Sequence, residues 1–229
     1  MGNEPRAFCF PLGHISHRLL ENARFADPGL PFNVVMYDCG QALAVSLMES
    51  FQDAPKKVCV MTPAEDADGI TKGLTDHLQS HGIQVHLLCL WNHLSRPFVG
   101  GEMVAPILRT FTQDGYNECD QLVAVQSFLG DGTVLKTNIT AHFDKLKPQL
   151  VHVLAPAMHT MLKPTLSRQF PEGISERFRF HTFVYDSDLD AATGELKPGI
   201  GGLPAERMNL QRSTTYRGFP HSVIELMQL

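Results

Sequence analysis

No run of Lys and Arg occurs in the 229 residues, and the formal net charge is −5. A nucleic-acid surface needs a basic stripe, so a nucleic-acid partner is not expected. No apolar run approaches the ~18 residues of a membrane span, so no membrane partner is expected either. The five cysteines, Cys9, Cys39, Cys59, Cys89 and Cys119, lie far apart with no C-x-x-C pair. Such an odd, scattered set within apolar strands reads as reduced core thiols and implies a cytoplasmic location. The opening MGNEPRAFCF lacks the character of a signal or transit peptide. It begins Met-Gly, but Arg6 stands where myristoylation prefers Ser or Thr. There is no G-x-S-x-G, no P-loop, no G-x-G-x-x-G and no internal repeat. A substantial core rather than disorder is expected, because 43% of residues are hydrophobic and only 19% are charged. The expectation is one domain over 1–229, with a helical part at 1–52, an arm at 92–118 and a tail at 208–229.

What is present is an alternation of strand and helix patterns. Helices are expected over His14–Phe25, Val34–Phe51, Ile70–His81 and Met158–Phe170, the last kinked or starting late because Pro164 lies inside it. Strands are expected at Val58–Met61, Val85–Trp91, Gln121–Gln126, Leu150–Ala155 and Arg177–Tyr185. The VHLLCLW run is continuously apolar, as a strand covered on both faces would be. This rhythm implies an α/β fold with a doubly wound, mostly parallel sheet. In such sheets ligands bind at the carboxyl ends of the strands, where loops 62–69, 126–133 and 186–207 would gather.

The stretch Cys119–Lys147 organises the rest. It reads as strand, glycine turn and helix, with Leu129, Gly130, Asp131, Gly132 and Thr133 at the turn. Backbone N–H groups at such a helix start make an anion site, phosphate above all. The same stretch is also how any parallel sheet turns a corner. Glu65, Asp66 and Asp68 could hold Mg²⁺ or accept ribose hydroxyls, or be a solvated acidic loop. His77 and His81, at i and i+4, could form a two-ligand metal face or be plain surface histidines, and no metal site is assigned. Asp186, Asp188 and Asp190 do not fit a calcium loop and read as a turn at a strand end. Gly199, Ile200, Gly201 and Gly202 would let a flat ligand approach the backbone, or simply make a turn. The closing SVIELMQL is an apolar stretch that could dock on the body or on a partner.

In matching order along most of the chain, these segments resemble uracil phosphoribosyltransferases. That family carries a 5-phosphoribosyl-1-diphosphate (PRPP) loop of the type V-D-P-M-L-A-T-G-G; Val125–Thr133 sits at its place. A uracil loop of the type V-P-G-L-G-D-A-G-D-R corresponds to Lys197–Gly202, with Glu206-Arg207 near its terminal acidic-Arg pair. Asp68-Gly69 matches the family's D-G, and Leu90-Trp91-Asn92 stands in place of L-Y-R. Pro11-Leu12, His14, His17 and Leu19 match the N-terminal P-L-x-x-H-K-L. The resemblance implies a fold of phosphoribosyltransferase type with a small β-arm, in pyrimidine salvage, making UMP and pyrophosphate from uracil and PRPP. It implies Mg²⁺ if PRPP binds, and a homo-oligomer or a subunit of a protein complex. PRPP-binding positions would be Gln126, Leu129, Gly130, Asp131, Gly132, Thr133 and Asn92, and uracil-binding positions Gly199, Ile200, Gly201 and Gly202. No catalytic residue is assigned. The departures are concentrated where charge matters. Gln126 replaces the ribose-facing acid, Asp131 replaces the Thr of T-G-G, Asn92 replaces the Arg of L-Y-R, and Gly202 replaces the Asp of G-L-G-D. A VAPILR string at Val104–Arg109 lies in the arm rather than in the first loop. The expectation is therefore a phosphoribosyltransferase-like chain with weak or lost activity; the alternative is a non-catalytic homologue serving as a structural or binding subunit.

Overall fold

The computed structural model describes residues 6–11, 13–51, 53–119, 121–188, 207 and 218–227. Its elements, in chain order, are β1 (Arg6–Phe8), α1 (Ile15–Phe25), α2 (Leu30–Glu49), β2 (Lys57–Pro63), α3 (Lys72–Ser80), β3 (Gln84–Asn92), β4 (Ile107–Thr112), β5 (Gln121–Val125), β6 (Phe128–Leu129), α4 (Thr133–Leu146), β7 (Leu150–Leu154), β8 (Ala157–His159), α5 (Leu162–Gln169), α6 (Glu172–Ser175), β9 (Phe178–His181), β10 (Val184–Asp186) and α7 (His221–Met227).

The larger sheet runs β4-β3-β2-β5-β7-β9, and only its edge strand β4 is antiparallel. β2 and β3 are buried along nearly their whole length, which explains their unbroken apolar character. The fold class is α/β, doubly wound and mostly parallel, as expected. One apolar cluster joins the sheet to α1, α2 and α3; a second joins its opposite face to α4 and α5.

α2 starts four residues earlier than Val34, because Pro31 sits in its first turn, where a missing N–H costs nothing. Phe32, Met36, Cys39, Leu43 and Leu47 form its buried stripe. Its crossing with α3 is close. A Cβ on Gly40 would lie 2.0 Å from the Ile70 carbonyl oxygen, and one on Gly73 would lie 2.0 Å from that of Tyr37. Side chains at those two positions would force the helices apart.

A second sheet, β1-β10-β8-β6, was not expected. It arises because β5, β7 and β9 each break for two residues and then continue as β6, β8 and β10. The breaks fall at Gln126-Ser127, Ala155-Pro156 and Thr182-Phe183. The Pro156 carbonyl fills the gap at the last break, accepting from the N–H groups of Phe183 (3.2 Å) and Val184 (3.3 Å) and from the Thr182 hydroxyl (3.2 Å). Arg177–Tyr185 is therefore two strands in two sheets rather than one. Met158–Phe170 is likewise divided: Ala157–His159 is strand, and the helix starts only at Leu162. In the arm, a Ser95–Val104 bridge precedes β4.

Candidate functional site

The loops after β2, β5 and β7 meet at the carboxyl ends of the central strands. After β2 the chain makes a 3₁₀ turn at Ala64–Asp66 and a π-turn at Ala67–Thr71, with Gly69 bent out of helical geometry at φ −99°, ψ −105°. This turn throws alternate carboxylates in opposite directions. Asp66 points inward: it is 5% exposed and accepts from the Ser127 backbone N–H (3.1 Å) and hydroxyl (2.5 Å). Asp68 points outward, accepting from the N–H groups of His221 (2.7 Å) and Ser222 (2.9 Å) and from the Ser222 hydroxyl (2.8 Å). Glu65 is half-buried beside them. Burial first, and then the Asp66 charge, pushes the Glu65 carboxyl well above the usual range. Burial also raises Asp66, against the two Ser127 hydrogen bonds that favour its ionised form.

At the second loop the expected helix begins at Thr133. Gly132 precedes it at φ 78°, and a Cβ there would sit 2.7 Å from a Leu162 methyl. Backbone conformation and α5 packing thus both demand glycine at this turn. The Asp131 carboxylate accepts the Thr133 N–H at 2.9 Å. The start of α4 is therefore already faced by an anion that belongs to the chain. Gln126 is buried, with its N–H on the Leu154 carbonyl (3.0 Å). The side chain of Leu129 is buried in the α4–α5 cluster, and Gly130 is half-buried.

Asn92 is turned towards α4 and the arm. It exchanges two amide hydrogen bonds with Asn138 of α4, at 2.8 and 3.0 Å, and donates a third to the Ala105 carbonyl at 3.1 Å. A guanidinium at this position would reach for an anion; the amide here ties β3 to α4 instead. Arg109 is on β4, its guanidinium 5.5 Å from the Trp91 ring and 4.6 Å from that of Phe219. Arg207 is occupied elsewhere too. Its Nη2 donates to the Ala23 (2.6 Å) and Ala26 (2.5 Å) carbonyls at the end of α1, and its guanidinium lies over Phe32. Gly199, Ile200, Gly201, Gly202, Asp190 and Glu206 lie outside the described residues. Asp186 is fully buried, bonded to Arg6 at 3.0 Å and to the Asp188 N–H at 2.9 Å.

No group of three or more His, Cys, Asp or Glu that could hold a metal exists among the described residues. His77 and His81 stack on each other at 4.5 Å on the surface, with His81 Nδ1–H donating to the His77 carbonyl. Magnesium is usually held by one or two carboxylates together with substrate phosphates. Here Asp66 and Asp68 are already hydrogen-bonded, so the residues present do not make a Mg²⁺ site by themselves. The segments 64–71, 126–133 and 155–161 carry Glu65, Asp66, Asp68 and Asp131 and not one Lys or Arg.

The sequence reading missed a polar group away from these loops. His152 and His181, on β7 and β9, are 1% and 8% exposed and share a 3.1 Å hydrogen bond. His152 Nε2 lies 3.2 Å from Gln121 Oε1. Burial lowers His152 to about 3, helped by the His181 and Arg179 charges, and lowers His181 to about 4. The signal in the sequence was a histidine at the centre of an apolar strand, LVHVLA, which demands a buried partner.

No protein-family model and no curated protein sequence matches the chain. Among solved structures it is similar to the AQ2163 protein from Aquifex aeolicus, with a TM-score of 0.63 at 13% identity, over 90% of this chain and 99% of that one. It is also similar to an adenine phosphoribosyltransferase from Trypanosoma brucei in complex with AMP, pyrophosphate and ribose-5-phosphate. That likeness has a TM-score of 0.47 at 14% identity, over 74% of this chain and 69% of that one. A hypoxanthine phosphoribosyltransferase from Trypanosoma cruzi gives 0.41 at 12% identity, over 59% and 69%. The first of these likenesses shows a shared fold over almost the whole of both chains.

Proposed function

We propose that this chain is a relative of the uracil phosphoribosyltransferases that has kept the fold and lost the transfer chemistry, and that it works as a structural or binding subunit. The observation that carries the reading is the Asp131 carboxylate on the Thr133 N–H at the start of α4. A transferase of this type would set the 5′-phosphate of PRPP at that helix start, on those N–H groups. Two like charges ~4 Å apart at a partly buried site cost about 4 kcal/mol, roughly a thousandfold in affinity. No Lys or Arg within 64–71, 126–133 or 155–161 offsets this. Pyrophosphate leaving an oxocarbenium-like centre needs cations to neutralise it, and the three loops supply four carboxylates and no Lys or Arg.

Calorimetry with PRPP and Mg²⁺ tests this directly, and no binding at millimolar PRPP is expected. In the variant carrying Asp131→Thr and Gln126→Asp, PRPP affinity rises. Micromolar binding by the unaltered chain, or UMP formation from uracil in a coupled pyrophosphate assay, would return the protein to the transferases.

A further inference from the structure

The last described segment packs on the first of the strand-end loops. Residues 218–227 lie across the β2–α3 turn and the outer end of β3. Trp91 Nε1–H donates to the Gly218 carbonyl at 2.9 Å. Phe219 packs edge-on against the Trp91 ring, 5.5 Å away, with the Arg109 guanidinium over it. Asp68 receives three hydrogen bonds from His221 and Ser222. Val223 is fully buried among Ala64, Ala67, Leu87, Cys89 and Trp91. Two of those neighbours, Ala64 and Ala67, belong to the same turn that holds Glu65, Asp66 and Asp68.

The turn is thus gripped from two sides. On one side the strap holds Asp68, Ala64 and Ala67. On the other, Asp66 holds the backbone and hydroxyl of Ser127, which opens the 126–133 loop. Between them, Gly69 sits outside helical geometry, so the π-turn is a local distortion that its attachments maintain. The strap itself is lightly attached. Pro220 and Val223 are its two buried residues, Phe219 remains 43% exposed, and Asp68 is an exposed carboxylate. A segment with few buried apolar contacts opens locally well below the cost of global unfolding.

We propose that residues 218–227 are a releasable strap that sets the β2–α3 turn and, through Asp66 and Ser127, the 126–133 loop. Release of the strap frees Asp68, relaxes the turn at Gly69 and loosens the grip of Asp66 on Ser127. Conversely, anything that moves Ser127 weakens the strap, since coupling between two sites is reciprocal. The proposal does not depend on whether PRPP binds.

The chain carries its own reporter, because Trp91 is the only tryptophan. In full-length protein, Val223→Asp is expected to shift Trp91 emission to longer wavelength. It should also speed amide exchange at 64–71 and at Ser127 by about tenfold or more, while β7 and α4 keep their protection. A Trp91 shift with unchanged exchange at those amides would overturn the proposal, leaving the segment merely packed. If Val223→Asp unfolds the whole chain, Asp68→Asn decides, since it opens no cavity, removes the charge and turns one of the two acceptor oxygens that hold His221 and Ser222 into an N–H donor. The same pair of changes in that variant supports the strap. No change in either signal, or global unfolding again, overturns it.

Discussion

Acidification tests the paired histidines most sharply. In the native protein His152 and His181 are neutral: with Gln121 presenting its oxygen, His152 donates from Nε2 and accepts at Nδ1 from His181 Nε2–H. Protonating His152 places a second N–H against that of His181, in a site almost closed to water. Unfolded histidines titrate near 6.5, whereas in the fold burial holds His181 to about 4 and His152 to about 3. Between those limits the unfolded chain binds more protons, so stability is present above ~6.5 and is lost as pH falls towards 3. Each group contributes up to about 1.4 kcal/mol per pH unit. From pH 6 to pH 4.5 the pair therefore removes about 4 kcal/mol, a large part of the ~5–15 kcal/mol of a typical domain. The raised Glu65 and Asp66 act in the opposite sense. Their folded forms hold protons more tightly than the unfolded chain, so their contribution grows as pH falls over the same range. The informative quantity is thus a difference. Urea unfolding at several pH values is measured for the unaltered chain and for His152→Gln with His181→Gln, which keeps hydrogen-bonding groups but no titrating ring. The difference should grow by roughly 2–3 kcal/mol per pH unit between pH 6 and 4.5. A difference that stays flat to within about 0.5 kcal/mol would show that the rings titrate normally and that their burial has been misjudged.

The helix crossing gives a second prediction: Gly40→Ala is expected to cost about 2–3 kcal/mol by overpacking against the Ile70 carbonyl. Gly173→Ala, where a Cβ meets nothing within 4 Å, should be neutral or slightly stabilising, both read by urea unfolding. The amide pair gives a third. Asn92→Leu alone strands the buried Asn138 at about 1–3 kcal/mol, Asn138→Leu strands the half-buried Asn92 at less, and the double substitution costs less than the sum of the two. A double-mutant cycle by urea unfolding reads this coupling, and strict additivity would count against the pair.

Much of the larger sheet was legible in the sequence, because β2, β3, β5 and β7 are short apolar runs between polar turns. The second sheet was not. Arg177–Tyr185 alternates straight through the break at Thr182-Phe183, so no period marks where it changes sheets. The late start of α5 was hidden for the same reason, since Ala157–His159 is apolar enough to pass for a first helical turn. At the site, Asp131 could be read as a carboxylate at a helix start because its partner is two residues away. The roles of Asp66 and Asp68 could not, because their partners lie 61 and up to 154 positions along the chain. Asn92 was seen only as a missing arginine; its partner Asn138 lies 46 positions away on a helix whose face the sequence alone does not orient.

The pairing of β1 with β10 has a consequence for how the molecule comes into being. Arg6 and Asp186 are 180 positions apart, and the strands between them all belong to the interior of the chain. On the ribosome, at ~5–20 residues per second, the first strand leaves the exit tunnel many seconds before its partner exists. Phe8 and Phe10 wait through that interval beside an uncapped strand edge, while β2, β3, β5 and β7 find one another over much shorter loops. β1 thus joins the second sheet only once β10 has been made, long after the central strands of the larger sheet can pair.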